Sequence, residues 1–259
     1  MSKMEYAKEV AKEVNGVAKE VEKNNGVKVI GVEVNTGSNV RPMVYIDEMY
    51  DRGLTVYEAA DKVATIAQTY AKDELDISWI ADFEKVRPML RARLLNKATS
   101  AEVFKQAGGV FNDLIIVPYI DGVCENGSIK VRQEMLKVWK VTAEEVISQA
   151  EENSRKEAKM QSMSEIMAEM GYPLVCDDMP PMIVISNEKG CYGAYSILAM
   201  LDQLKTLFPE GFAVLPSSVH EVIIVNAEDP AYLDSMVSDV NDKEVDPNEQ
   251  LSGHAYLVA

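Results

Sequence analysis

Histidine is almost missing from this chain: His220 and His254 are the only two in 259 residues. Cysteine is nearly as scarce. Cys124, Cys176 and Cys191 are odd in number, far apart and without a CxxC pair. That spacing excludes a zinc ribbon or a disulfide framework, and three free thiols in a reducing cytoplasm are expected. The apolar runs, such as Leu114–Val117 and Val222–Val225, are strand-length, far below the roughly 20 residues of a membrane span. The charged N-terminus, Met1–Glu9, has no apolar core of a secretory signal. No GxGxxG or GxxxxGK[ST] loop occurs, and Gly190-Cys191-Tyr192-Gly193 has too few glycines to cradle a pyrophosphate. No cofactor is expected.

Metal motifs fail in the same way. His220-Glu221 has no second histidine four residues on, so the HExxH logic is broken. Asp239 to Glu244 begins like a calcium loop but places Lys243 at a ligand position and Glu244 where glycine must turn. No metal is expected.

What is present is acid. The net charge is −16, with residues 141–259 carrying 6 Lys+Arg against 21 Asp+Glu, and residues 1–140 nearly balanced at 20 against 21. Such a field repels nucleic acid and anionic membrane and favours a protein partner with a basic surface. Lys85, Arg87, Arg91, Arg93 and Lys97 form a basic stripe with no aromatic interleaving, read as a solvated strand face.

Hydrophobic periodicity divides the chain into short elements. Apolar residues from Met4 to Val21 recur at three- and four-residue steps, giving a helix weakened at Asn15-Gly16. A hairpin of 27–34 and 43–46 follows, with a bulge at Ile30-Gly31. Capping boxes at Thr55/Glu58, Thr142/Glu145 and Ser162/Glu165 open three helices. Strands are expected at 86–95, 110–120, 128–131, 182–186, 191–197, 212–216, 220–226 and 255–258, with helices at 198–208 and from Asp229-Pro230. Adjacent strands without regular βαβ alternation indicate α+β, with mostly antiparallel sheets covered by helices. The element order suggests two similar β-β-α-β-β-α portions. The boundary falls at Tyr172–Pro181, giving an N-terminal α+β portion (1–172) and an acidic C-terminal α+β domain (173–259), able to pack as one unit.

Catalytic residue types crowd together once. Between two β-rich runs lies Pro216-Ser217-Ser218-Val219-His220-Glu221. Ser217 or Ser218 as nucleophile, His220 as base and Glu221 as orienting acid would make a hydrolase or transferase, with Asn187 or Asn241 in support. In a strand, however, Ser218 and His220 share one face while Glu221 points to the other, and no GxSxG elbow exposes a serine. The corner therefore reads first as a turn that satisfies strand-end backbone groups. Asn187, Tyr192 and Gly193, with the acidic Asp234, Asp239 and Asp242, are candidate binding positions.

Lys23-Asn24-Asn25-Gly26-Val27, Pro42 to Asp47, Ile185-Ser186-Asn187, Tyr192-Gly193-Ala194, Leu215 to Glu221, Met236-Val237 with Val240-Asn241, and Leu251-Ser252 with Tyr256 occur in one order across nearly the whole chain. In that order they resemble the domain of unknown function 5688 family, abundant in gut anaerobes of the Firmicutes. The layout is also faintly similar to a second uncharacterised Bacillus-type family. The first resemblance implies a soluble, cytoplasmic bacterial protein and supplies no catalytic residue, substrate or cofactor. With so many chemistries missing, the expectation is a protein-binding or regulatory factor, including an inhibitory one that masks a basic surface.

Overall fold

The computed structural model describes residues 1–70, 76–99, 104–123, 127–172 and 182–259. It falls into two compact units, Met1–Ile77 and Ser78–Ala259. The first runs α1 (Lys3–Glu13), β1 (Gly16–Glu22), β2 (Lys28–Val34), β3 (Met43–Tyr45), α2 (Asp47–Asp51) and α3 (Val56–Tyr70). Its three strands form an antiparallel sheet, and α1 and α3 bury Val10, Ala11, Ala59 and Val63 with Val32, Val44 and Ile46 in one core.

The helix expected from Met4 to Val21 stops at residue 13. Asn15 takes a positive φ of 52° and turns the chain, a C-terminal device suited to asparagine and glycine. Gly16 then lies so close to β2 that a Cβ would meet the Glu33 carbonyl at 2.7 Å. From there Val17, Ala18 and Val21 pair with β2 in unbroken register. That register also removes the bulge expected at Ile30-Gly31.

The second unit continues with α4 (Phe83–Val86), β4 (Leu90–Asn96), β5 (Lys105–Gly108), β6 (Phe111–Asp121), β7 (Ser128–Lys130), α5 (Gln133–Trp139), α6 (Ala143–Lys156), β8 (Ala158–Ser162) and α7 (Met163–Glu169). After these come β9 (Ile183–Asn187), α8 (Ser196–Leu207), β10 (Phe212–Leu215), β11 (Val222–Asn226), α9 (Pro230–Lys243) and β12 (Tyr256–Val258). The class is α+β. One sheet has β6 at its centre, flanked by β4, β5 and β7; the other has the order β12-β10-β11-β9-β8, and every pairing in both is antiparallel.

Residues 158–162 belong to the same sheet as the C-terminal strands, so the boundary read at 172 lies inside the second unit. The described order after residue 181, β-α-β-β-α-β, also departs from the β-β-α-β-β-α repeat. The missing strand is 191–197. Asn187 holds Cys191 on both sides, donating Nδ2–H to its carbonyl (2.8 Å) and accepting its N–H (3.2 Å). The chain turns off the sheet there, and α8 starts at Ser196.

All four residues of β10 are buried, alternately on its two faces. Phe212 and Val214 join the main core with Ile116 and Ile147, whereas Ala213 and Leu215 pack under Leu233 and Val237 of α9. This is the two-faced pattern of a sheet covered on both sides. The stretch expected to be strand from Val86 is helical as far as Met89. β4 starts at Leu90 and buries Leu94 and Leu95 on opposite faces. Its arginines are consequently not solvated. Arg91 makes a two-pronged pair with Glu157, Nε–H at 2.9 Å and Nη2–H at 2.5 Å, joining β4 to the end of α6.

The hydrogen bonds from Arg91 hold the Glu157 carboxyl below its ordinary range, more strongly than its partial burial raises it. A depressed carboxyl adds stability above its unfolded value and loses it as pH falls through the folded one. Urea titrations should find Glu157→Gln less stable by about 1–2 kcal/mol near neutrality. Its deficit should shrink as pH drops below about 4.5, where the native protein loses the same contribution.

Candidate functional site

The Pro216–Glu221 corner joins β10 to β11 and packs against the 187–195 turn. Ser218 Oγ accepts the His220 N–H (3.0 Å), and the Ser218 N–H reaches the Glu221 carbonyl (3.2 Å). The His220 carbonyl accepts from Ser186 Oγ (2.9 Å) and from the Gly193 N–H (2.9 Å). At the ring, His220 Nδ1 accepts the Tyr192 N–H at 3.0 Å, and Nε2 lies 3.4 Å from Glu249 Oε2. A backbone N–H can only donate, so Nδ1 is unprotonated and Nε2 carries the hydrogen directed at Glu249.

Neither Ser217 nor Ser218 meets the ring among the described residues. Ser217 instead lines a small apolar cavity beneath α9, and Glu221 faces a shallow hollow with Lys159 and Lys189. The geometry gives the imidazole a backbone donor and a carboxylate, with no hydroxyl to deprotonate.

Asn187, Tyr192 and Gly193 do come together with His220. Tyr192 holds a positive φ of 54°, which is costly for a tyrosine. Two contacts fix it: its N–H on His220, and its ring stacked 3.7 Å from the Arg93 guanidinium carbon. A Cβ on Gly193 would meet the Asn187 nitrogen and Ser186 Oγ at 2.5 Å, so only glycine fits the turn against β9.

Beneath the turn lies the residue that sequence reasoning left in solvent. Arg93 is 5% exposed. Its guanidinium sits between the rings of Tyr192 and Tyr119 (4.1 Å) and donates to Asp121 at 2.6 Å, while Nε is buried with no partner among the described residues. Burial pushes the Tyr119 phenol up, with Arg93 opposing. The space left here is about 10 Å³, roughly one water. The faint signal in the sequence was Tyr119 and Asp121, two apart on one face of β6; only the β4–β6 register sets them by Arg93.

The second histidine lies in another cluster. Ser252 Oγ is 2.8 Å from His254 Nδ1, His254 Nε2 is 3.7 Å from Asp113 Oδ2, and Tyr256 Oη donates to Asp113 at 3.0 and 3.1 Å. Burial raises the Tyr256 phenol strongly, opposed by a hydrogen bond with Ser252, and Asp113 raises it further. The order Ser-His-Asp resembles a triad, but Ser252 is only 4% exposed and its Oγ is also bonded to the His254 backbone. These residues brace the segment before β12 against β6.

The acidic positions differ among themselves. Asp234 Oδ1 accepts the Ala255 N–H at 2.8 Å, so it supports the fold. Asp239 is exposed and 3.6 Å from Lys243, and Asp242 is exposed. Sequence reading missed a groove of about 720 Å³ between α4, the end of α5, and α6. Asp82, Glu84, Glu144, Glu145 and Glu152 line it with Arg87, the one cation among the described lining residues, while Lys85 and Lys156 pair with Asp82 and Glu152. Phe83 and Trp139 stack at 5.6 Å in its lining, and Val138 at its margin is 62% exposed. Of the cysteines, Cys191 is free and exposed; Cys124 and Cys176 lie outside the described residues. Among the described residues no helix is long and apolar enough to cross a membrane, and no cluster of His, Cys, Asp and Glu could hold a metal ion.

His220→Ala leaves the Tyr192 N–H unpaired and should lower unfolding free energy by about 1–3 kcal/mol. Gly193→Ala should cost a similar or larger amount through overpacking. Chemical denaturation with both variants checks this, and unchanged stability would remove the corner's structural role. No curated protein and no solved structure matches the chain. A family model does match, over residues 3–258, and the chain belongs to that family, the family of unknown function DUF5688.

Proposed function

We propose that this chain is a protein-binding factor of the cytoplasm, and that the α4–α5–α6 groove receives a basic amphipathic segment of its partner. The observation that carries this reading is the lining itself: five carboxylates around Phe83, Trp139 and Val138, in excess over Arg87 in the lining and over Lys85 and Lys156, which pair with Asp82 and Glu152. A helix in a groove needs an apolar floor for its buried stripe and complementary charge along its flanks. The acid of α9, Asp239 and Asp242, extends the same sign of field, which steers a basic partner and repels nucleic acid and anionic membrane. A regulatory role, including inhibition by masking a basic surface, follows from that chemistry. The alternative, a hydrolase or transferase centred on Ser217, Ser218 and His220, lacks a hydroxyl on the imidazole and has less support.

Fluorescence in a Trp79→Phe background isolates Trp139 as the reporter. A helical peptide with leucine on one face and lysine on the other should change its emission saturably, and a scrambled peptide of the same composition should not. Affinity should fall as added salt shortens the Debye length from about 10 Å to about 3 Å. Joint reversal of Glu144 and Glu152 to lysine should weaken binding about tenfold or more, roughly the scale of two lost charge contacts; reversal of Glu9 and Glu13 should change little. Equal binding of the scrambled peptide, or a silent Trp139, overturns the reading.

A further inference from the structure

An unpaired strand edge is a template for another chain, and proteins commonly blunt it with proline, a bulge, a short length or charge. β1 ends the sheet of the first unit: it pairs with β2 on one side and with no strand on the other among the described residues. It is seven residues long, has no proline, and keeps unbroken register with β2. The opposite edge, β3, is only three residues long.

The ladder fixes which backbone groups look outward, because residues of an antiparallel strand alternate between bonding one neighbour and facing away from it. β2 bonds β3 through its even-numbered residues: the Val34 N–H donates to the Pro42 carbonyl, and the Ile30 carbonyl accepts from the Ile46 N–H. Its odd-numbered residues therefore bond β1. The Asn35 N–H on the Asn15 carbonyl (3.4 Å) and the Lys23 N–H on the Val27 carbonyl (2.8 Å) continue that parity at the two ends. Glu33, Gly31 and Val29 stand opposite Val17, Lys19 and Val21, so the N–H and C=O groups of Ala18, Glu20 and Glu22 point off the open edge. Charge does not guard them. Lys19 reaches back to Glu33 at 2.6 Å and Glu20 to Lys28 at 3.0 Å, both on β2. Val17, 56% exposed, shares the sheet's outer face with Val21 and Val29.

We propose that β1 accepts an extended segment of another protein as a fourth strand, and that this segment alternates β-branched apolar residues with lysine or arginine. Main-chain bonds supply the affinity in strand addition, and the side chains on each face supply the choice of partner. Residues placed opposite Val17 and Val21 lie on the outer face in the closely spaced, non-bonded pairs, where β-branched side chains pack best. Residues placed opposite Glu20 and Glu22 lie on the other face, where basic side chains meet carboxylates; Glu22 makes no ion pair among the described residues. A second copy of this chain fits poorly. The antiparallel register that uses all of β1 sets Lys19 opposite itself, and the next one sets Glu20 opposite itself, like charges directly opposed. The edge belongs to the first unit, takes a strand rather than a helix, and does not rest on the acidic groove.

Amide hydrogen exchange of the full chain, read residue by residue by NMR, tests this. Alone, the Ala18, Glu20 and Glu22 amides should exchange quickly, while those of Lys19 and Val21 are held by β2. A peptide of about eight residues alternating valine and lysine, a typical strand length, should slow the three outward amides saturably by about tenfold or more. Glu20→Pro removes an outward N–H without breaking the β1–β2 ladder and should abolish that protection. Methylated peptides test the same bonds on the unaltered chain. In the bound register the peptide's lysine N–H groups meet β1 and its valine N–H groups face away. N-methylation of the lysine nitrogens should therefore weaken binding about tenfold or more, the scale of one or more lost hydrogen bonds, whereas N-methylation of the valine nitrogens should change it little. Three results would each overturn the proposal: outward amides that the peptide leaves unprotected, binding indifferent to lysine N-methylation, or protection that appears without peptide as the chain is concentrated, which would give the edge to a second copy.

Discussion

The second unit hangs on one buried cation. Arg93 would be ruinous in an apolar core on its own, since an unpaired buried charge costs several kcal/mol or more. Here Asp121 supplies the counter-charge, and Tyr119 and Tyr192 supply π-faces on both sides. The requirement runs outward from there. Tyr192 reaches the guanidinium only from a left-handed backbone, and that backbone is held by His220. Gly193 must be bare to let the turn lie on β9, and Ser186 ties the corner's carbonyl to the same strand. The cluster thus welds β4 and β6 of one sheet to β9 and the β10–β11 corner of the other.

Much of the fold is local and was legible. The capping boxes at Thr142 and Ser162 form as their spacing predicts, because both partners lie within one turn. The hairpin of β2 and β3 and the α+β class follow from strand-length apolar runs punctuated by turns. The first helix was read too long because Val17, Ala18 and Val21 fit a helical stripe as well as a strand. The left-handed Asn15 settles the matter, and its conformation is not a matter of periodicity.

The site was legible only in part. Asn187, Tyr192, Gly193 and His220 do converge, although the chemistry suggested by neighbouring serines does not arise. Arg93 was invisible for a physical reason. On an isolated strand an arginine alternating with apolar residues looks solvated, and nothing nearby in sequence announces the carboxylate and the two rings that bury it. Asp113 and Tyr256 meet across 143 residues and were hidden in the same way. Long-range pairs of this kind carry no periodic trace.

The strand order of the larger sheet bears on how the chain reaches this state. Its hairpin, β10 with β11, closes across a short corner, whereas its two edges, β8 and β12, come from segments separated by most of the C-terminal half of the chain. Loop-closure entropy favours the hairpin as the first piece to pair, with β9 joining across α8. Until β12 and β8 arrive, β10 on one flank and β9 on the other present open backbone edges. A sheet assembled from its middle outward is therefore exposed to strand addition by other chains for the whole interval before its rims are in place.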